Sequence, residues 1–343
     1  MFYITIDCGT TNSRAYVVDE EGHIYGKATK QVGVKDTAQT GSCDLLRAGL
    51  REITTRAIEQ SGVARQEIRA VLSSGMITSE IGLKEIPHHM APCSVDDLAD
   101  SITLVKDSGI IDDIPVYLVR GIKNHMDKMG RAPSEQVGEL DFMRGEEVQL
   151  AGVMARADVQ FPATVVILSS HTKFNALDEN GTVLGSLTTL SGQLRAAILE
   201  KTFVGKSVEK RENAEEKPVD YFDPEIVKQA ANWIRRVGLV RALMFPRFLD
   251  VLLDTKWYER SLFFDALIAA EDMLAIQQIK MFASKPSENY YLIGNPERCR
   301  LYAFILKQNQ PSARIHCITD TVEIDELSIR GILHVAARGG IVK

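Results

Sequence analysis

The sequence predicts an α/β protein of two domains, each a mixed β-sheet flanked by helices, with a cleft between the domains. Three observations carry that expectation. At 343 residues the chain is long for one hydrophobic core. Short apolar runs alternate with stretches of helical periodicity in both halves. One supersecondary unit also occurs twice, at a spacing of 159 positions.

The first copy runs from Tyr3 to Gly22 and the second from Val165 to Gly181. Laid on each other without gaps, Thr10 meets Ser169, Thr11 meets Ser170, Ser13 meets Thr172, Arg14 meets Lys173 and Gly22 meets Gly181. Each copy is an apolar strand, a tip of hydroxyls ending in a cation, a second strand and an acidic turn closing on Gly. Two such tips, one from each half, suit a polyphosphate gripped from both sides. A phosphotransferase is the leading expectation.

The elements follow in order. Residues 2–7 alternate, with Phe2, Ile4 and Ile6 on one face. Arg14–Asp19 reads as the second strand, residues 20–22 as a turn and His23–Lys30 as the third strand. Leu46, Leu50, Ile53 and Ala57 form one helical stripe. Ala70–Ser73 and Val116–Val119 read as buried strands entering loops at Gly75 and Gly121. Met143–Gly152 reads as a helix start carrying Glu146 and Glu147. In the second half, Thr164–Leu168, Lys173–Leu177 and Thr182–Thr189 repeat the meander around an Asn180-Gly181 turn. Ser191 is expected to cap the next helix. Lys206–Lys217, rich in charge, is expected to be an exposed mobile loop. Ala230–Val251 and Leu262–Phe282 read as helices, and Tyr290–Ile293 as a strand entering Gly294-Asn295. Asp325–Ala337 reads as a closing helix. The expected domains are 1–143 and 144–324, with 325–343 packing back on the first.

Apolar content of 45% and charged content of 25% are those of a globular protein. A net charge of −6 argues against a general nucleic-acid binder. No apolar run spans a membrane, and the start lacks a signal-peptide pattern, so no membrane partner is expected. Cys8, Cys43, Cys93, Cys299 and Cys317 are odd in number and contain no C-x-x-C pair. That pattern suits a reducing, cytoplasmic setting. A homo-oligomer is allowed but not required.

The tip Gly9-Thr10-Thr11-Asn12 offers close backbone approach and several donors to phosphate, with Arg14 as a planar donor fork. Asp7 has no acidic counterpart in the second copy, where Val166 stands. One carboxylate beside a phosphate tip suits hydrated Mg²⁺. The same residues could also make a plain turn. In the second copy, Ser169, Ser170, His171, Thr172 and Lys173 form the matching tip. Alternation puts His171 and Lys173 on one face, within reach of the β- and γ-phosphates. A carboxylate at 146 or 147 could accept the proton of an attacking hydroxyl, or simply offset a helix dipole. Position favours Glu146 over Glu147. Arg144 beside it could grip a carboxylate or the moving phosphoryl group.

The first tip resembles the first phosphate loop of the actin, sugar-kinase and Hsp70-type ATPase superfamily, and Ser169–Lys173 resembles its second. More narrowly, Ile6–Ala15, Met143–Gly152 and Ser170–Lys173 resemble the 2-dehydro-3-deoxygalactonokinase family in order and spacing. Weaker matches at Gly75-Met76-Ile77, Leu190-Ser191-Gly192 and Ser328-Ile329-Arg330 extend it over nearly the whole chain. The resemblance implies two ribonuclease H-like domains, ATP and Mg²⁺ as cofactors, and a small sugar acid phosphorylated on its terminal hydroxyl. It implies that Gly75, Met76, Thr78 and Arg144 contact the sugar acid and that Gly294 and Asn295 border adenine. The chain departs from the family pattern at Ser169, where Gly is usual, at Cys8 for Trp and at Gln193 for Glu. The substrate loop has Thr78-Ser79 and Gly82-Leu83 in place of Gly-Ser and Gly-Trp. These departures keep two other readings open, a kinase for a different sugar or sugar acid and a silent nucleotide- or sugar-acid-binding regulator; an actin-like assembling ATPase is a third.

Overall fold

The computed structural model describes residues 1–126, 130–283 and 287–343. Its principal strands are β1 (Phe2–Cys8), β2 (Ser13–Asp19), β3 (Ile24–Lys30), β4 (Ile68–Gly75), β5 (Thr103–Val105) and β6 (Val116–Leu118), followed by β7 (Ala163–Leu168), β8 (Thr172–Leu177), β9 (Val183–Thr189), β10 (Asn289–Gly294) and β11 (Arg314–Ile318). The principal helices are α1 (Val34–Thr40), α2 (Asp44–Ser61), α3 (Glu146–Met154), α4 (Ser191–Lys201), α5 (Pro224–Ala242), α6 (Phe245–Leu252), α7 (Trp257–Gln278), α8 (Pro296–Asn309) and α9 (Thr321–Arg338).

The first sheet runs β3-β2-β1-β4-β6-β5 and the second β9-β8-β7-β10-β11. Each begins with a meander, then adds a strand parallel to the meander's first member, β4 beside β1 and β10 beside β7. This shared order is the ribonuclease H-like arrangement. The sequence repeat is physical. β2 begins at Ser13 and β8 at Thr172, while β3 covers Ile24–Lys30 and β9 Val183–Thr189, both pairs 159 apart.

The packing divides the chain into two units. Unit 1 comprises residues 1–161, 177–186 and 321–343. Its core lies between the first sheet and α2. Leu46, Leu50, Ile53 and Ala57 are fully buried there against Ile4, Ile6 and Val17, each large side chain contributing about 1.5–3 kcal/mol of apolar burial. On the other side α3 crosses α9 at two glycines. A Cβ on Gly152 would lie 2.0 Å from the Leu327 carbonyl oxygen, and one on Gly331 1.7 Å from that of Val148. This close crossing puts α3 in unit 1, so the break falls after Phe161 and not at 143/144. The β8–β9 turn joins unit 1 through the Cys93–Val183 bridge and the paired bonds of Asn124 with Ser186.

Unit 2 comprises residues 162–176 and 187–320. Three local expectations fail in it. Ser191 is the first residue of α4 and does not cap it, because its hydroxyl bonds Thr172 instead. Ala230–Val251 is broken, since Gly238 turns to φ 72° and α6 starts after it. Residues Phe203–Val208 are helical and bury Val204 and Val208, so only the stretch after them matches the expected loop. No helix among the described residues is long and apolar enough to cross a membrane.

Candidate active site

In unit 1, β1 and β2 set Asp7 opposite Arg14, and the tip Gly9–Asn12 projects beyond them. The Gly9 N–H donates to the Asn12 carbonyl at 3.0 Å. The carbonyls of Gly9 and Thr10 turn away and accept from the N–H groups of Val34 and Lys35 in the first turn of α1, at 3.2 and 2.9 Å. The side chains of Thr10, Thr11 and Asn12 are left exposed. Gly33 makes this bracing possible, because a Cβ there would sit 2.4 Å from the Thr10 carbonyl oxygen.

Asp7 and Arg14 meet at 3.4 Å, and Arg14 also lies 3.9 Å from Asp325 on α9. Tyr16 and Lys27 each donate to Asp325 at 3.1 Å. The Asp7 carboxyl is raised above its ordinary pKa, mainly by loss of hydration, with Arg14 opposing and the Asp325 charge adding. Asp325 stands far from Asp7 in sequence, and no local pattern marks it.

The other predicted residues of unit 1 converge around the end of β4. Gly75 takes φ 86° there, a conformation other residues avoid, and a Cβ would meet the Cys8 carbonyl oxygen at 2.9 Å. Arg144 Nη1 donates to Thr78 Oγ1 at 2.6 Å and to the Ile86 carbonyl at 3.1 Å, and Nη2 lies 3.5 Å from His88 Nδ1. Burial lowers the Arg144 pKa from its usual value. Two expectations change. Thr78 is buried and serves Arg144, so it is not an open sugar contact. Met76, half-buried in the turn that follows β4, packs against the core.

The two acids at the start of α3 differ sharply. Glu147 is 1% exposed; Oε2 accepts from the Gly145 N–H at 2.7 Å, while Oε1 is buried with no hydrogen-bond partner among the described residues. Burial, and then the Glu146 charge, push its pKa up to about 8. It caps the helix start and is largely protonated at neutral pH. Glu146 is half-buried and is the more accessible of the pair.

In unit 2 the second tip repeats the bracing. The Ser170 carbonyl accepts from the Gln193 N–H at 2.8 Å, beneath Gly192, whose Cβ would lie 2.3 Å from the Ser169 carbonyl oxygen. Gly33 and Gly192 are again 159 apart. Ser169 carries no positive φ, so its side chain imposes no backbone strain where the family has Gly. Ser169 and Ser170 are exposed, and their hydroxyls meet the His171 carbonyl at 3.0 Å and its ring Nδ1 at 3.3 Å.

Two members of the predicted tip are not open to a ligand. β8 is buried throughout. Thr172 Oγ1 is therefore taken by Ser191 at 2.7 Å and by Arg298 at 3.0 Å. Lys173 is 4% exposed and donates to Thr188 Oγ1 at 2.7 Å, so it does not share an open face with His171. The cation at this tip is Arg298, which also donates to the Ser169 carbonyl at 2.7 Å. It is set by the turn Gly294-Asn295. Gly294, at φ 153°, lies against Leu168, and Asn295 caps α8 by accepting from Glu297 and Arg298 N–H groups. Beside that turn opens a cavity of about 550 Å³ lined in part by Tyr221, Phe222, Trp257, Tyr258, Asn295 and Arg300. Its volume is that of a small-molecule site. The aromatic residues come from two distant segments, which is why sequence spacing does not reveal them.

The sequence profile of the 2-keto-3-deoxy-galactonokinase family matches residues 7–335. The chain belongs to this family. It is a kinase, a phosphotransferase that acts with ATP on a small-molecule sugar acid. It is 27% identical over 255 residues to the 2-dehydro-3-deoxygalactonokinase of Escherichia coli, covering 74% of this chain and 70% of that one. A Rhizobium meliloti relative assigned the same activity is 24% identical over 60% of this chain and 59% of its own. The crystal structure of a Sinorhizobium meliloti protein, also assigned that activity, superposes with a TM-score of 0.69 at 22% identity, covering 98% of each chain. At that identity the likeness shows the fold.

Proposed function

We propose that this kinase transfers the γ-phosphoryl group of Mg-ATP to the terminal hydroxyl of 2-dehydro-3-deoxygalactonate. The observation that carries the reading is the pair of hydroxyl-bearing tips, each braced from below by a glycine-led helix start. Such tips present exposed donors on a fixed backbone, which phosphate recognition needs. Thr10, Thr11 and Asn12 in unit 1, and Ser169, Ser170 and His171 in unit 2, would donate to phosphate oxygens. Arg298 would hold the second tip in shape, and the aromatic cavity at Asn295 would take adenosine. Arg144, kept rigid by Thr78, Ile86 and His88, would anchor the sugar acid near Gly75.

Asp7 and Asp325 offer two hard carboxylates close to one arginine, a donor set that fits Mg²⁺ with its retained waters. When bound, the ion would neutralise charge on the phosphates. Glu146 would take the proton of the attacking hydroxyl as its oxygen bonds to phosphorus, while protonated Glu147 spares it a second negative neighbour. Phosphoryl transfer asks mainly for alignment and charge neutralisation, so this set suffices. The free cysteines support a cytoplasmic setting.

The test is ADP formation from Mg-ATP across a panel of keto-deoxy sugar acids and neutral sugars. Turnover highest with 2-dehydro-3-deoxygalactonate is expected. Turnover with a neutral sugar alone, or binding with no turnover of any acid, would overturn the proposal.

A further inference from the structure

Two thiols of unit 2 stand beside one residue of β10, Leu292. Cys299, in the first turn of α8, is 1% exposed, and its Sγ lies 3.7 Å from the Leu292 carbonyl of β10. β11 pairs parallel with β10 in a register that sets Cys317 beside the same Leu292. Cys317 is exposed on the edge strand, while Cys299 lies beneath it at the start of α8. Cys8, Cys43 and Cys93 all belong to unit 1.

The pair is chemically unequal. The neighbouring Cys299 thiol lowers the Cys317 pKa, while Cys317 and burial raise the pKa of Cys299. A thiolate attacks faster than a thiol, so the exposed member reacts first and the buried one waits beside it. The neighbouring residue gives this pair a consequence. Arg298, one position before Cys299, holds the Ser169 carbonyl and Thr172 Oγ1.

We propose that Cys299 and Cys317 form an oxidative modification site at which a peroxide closes a disulfide and thereby loosens the Ser169–Thr172 tip. The Cys317 thiolate attacks one peroxide oxygen and the O–O bond breaks. The departing hydroxide takes a proton and leaves as water, giving a sulfenic acid. Cys299 sulfur then displaces the hydroxyl of that acid. The S–S bond forms, the S–O bond breaks and the Cys299 proton leaves with the hydroxyl as a second water. Two thiols are oxidised and one peroxide is reduced to two waters. The new bond ties the first turn of α8 to β11 and pulls on the arginine that shapes the tip. The effect on the tip rests on the kinase reading; the thiol chemistry does not.

The experiment treats the full chain with equimolar hydrogen peroxide, then reads the intact mass and a peptide map. Loss of two hydrogens, a linked Cys299–Cys317 peptide and reversal by dithiothreitol are expected. Cys317→Ser should block the link, Cys43→Ser should not, and Cys299→Ala should leave Cys317 to oxidise further to the sulfinic acid. Cys317 oxidised with no link in the unaltered chain, or a link that persists in Cys317→Ser, would overturn the site. Nucleotide affinity should fall about fivefold on closure, and unchanged affinity would overturn its coupling to the tip. Mass reads the link whether or not any sugar acid turns over, so failure here and failure of the kinase reading are separate results.

Discussion

Replacing Gly192 by Ala tests the bracing of the second tip most directly. The new Cβ would stand 2.3 Å from the Ser169 carbonyl oxygen and 2.6 Å from that of Ser170. Both obstacles are backbone, so no flexible side chain can yield. Overpacking of this kind costs about 1–3 kcal/mol. Ala improves helix propensity over Gly by at most about 1 kcal/mol, which offsets part of that cost. A net loss of about 1–2 kcal/mol is expected. For a unit of this size, that lowers the melting temperature by about 2–8 °C. The tip should move with it, raising the KM for ATP while leaving that for the sugar acid unchanged. Gly33→Ala, with its Cβ 2.4 Å from the Thr10 carbonyl oxygen, should behave alike in unit 1. Gly138→Ala meets nothing within 4 Å among the described residues and serves as the control, shifting stability by less than about 0.5 kcal/mol. Thermal melts and ATP kinetics on the three variants decide it. If Gly192→Ala melts and binds ATP like the unaltered chain, the helix start does not brace the tip.

Stability should also depend on pH through Glu147. Its folded pKa of about 8 lies above the ordinary 4.5, so between these values the fold holds a proton that the unfolded chain releases. The contribution is fullest below pH 4.5 and is lost as pH rises to 8, by about 1.4 kcal/mol per unit at most. Glu147→Gln should flatten that slope in melting temperature against pH; an unaltered slope would place the titration elsewhere. Arg298→Ala should weaken nucleotide binding about tenfold, since two charge-assisted bonds at the tip are lost. Arg298→Lys should not restore it, because one ammonium lacks the fork that spans both acceptors; full activity in either variant would remove Arg298 from the tip.

Much of this architecture is written in local pattern. Strand alternation, the stripe Leu46-Leu50-Ile53-Ala57 and the 159-residue repeat depend on neighbours along the chain, so they are legible without coordinates. The exposed tips Thr10–Asn12 and Ser169–Ser170 and the helix start at Glu146 belong to the same class. Reading failed where burial chose the partner. Lys173 looks like a phosphate cation by its match to Arg14, yet β8 is buried throughout and its ammonium turns to Thr188. Thr78 looks like a sugar contact, yet it lies beneath Arg144.

The sequence by itself determined the family, two sheets of one kind and the exposed hydroxyl tips, because periodicity and turn chemistry act over a few residues. Tertiary structure decided which charges reach those tips. Asp325 joins Asp7 and Arg14 through α9, Arg298 replaces Lys173 through α8, and Glu147 becomes a buried cap while Glu146 stays accessible. The physical reason is desolvation. A charge keeps a site role only where packing leaves it water or a ligand, and packing is settled by segments far apart in the chain.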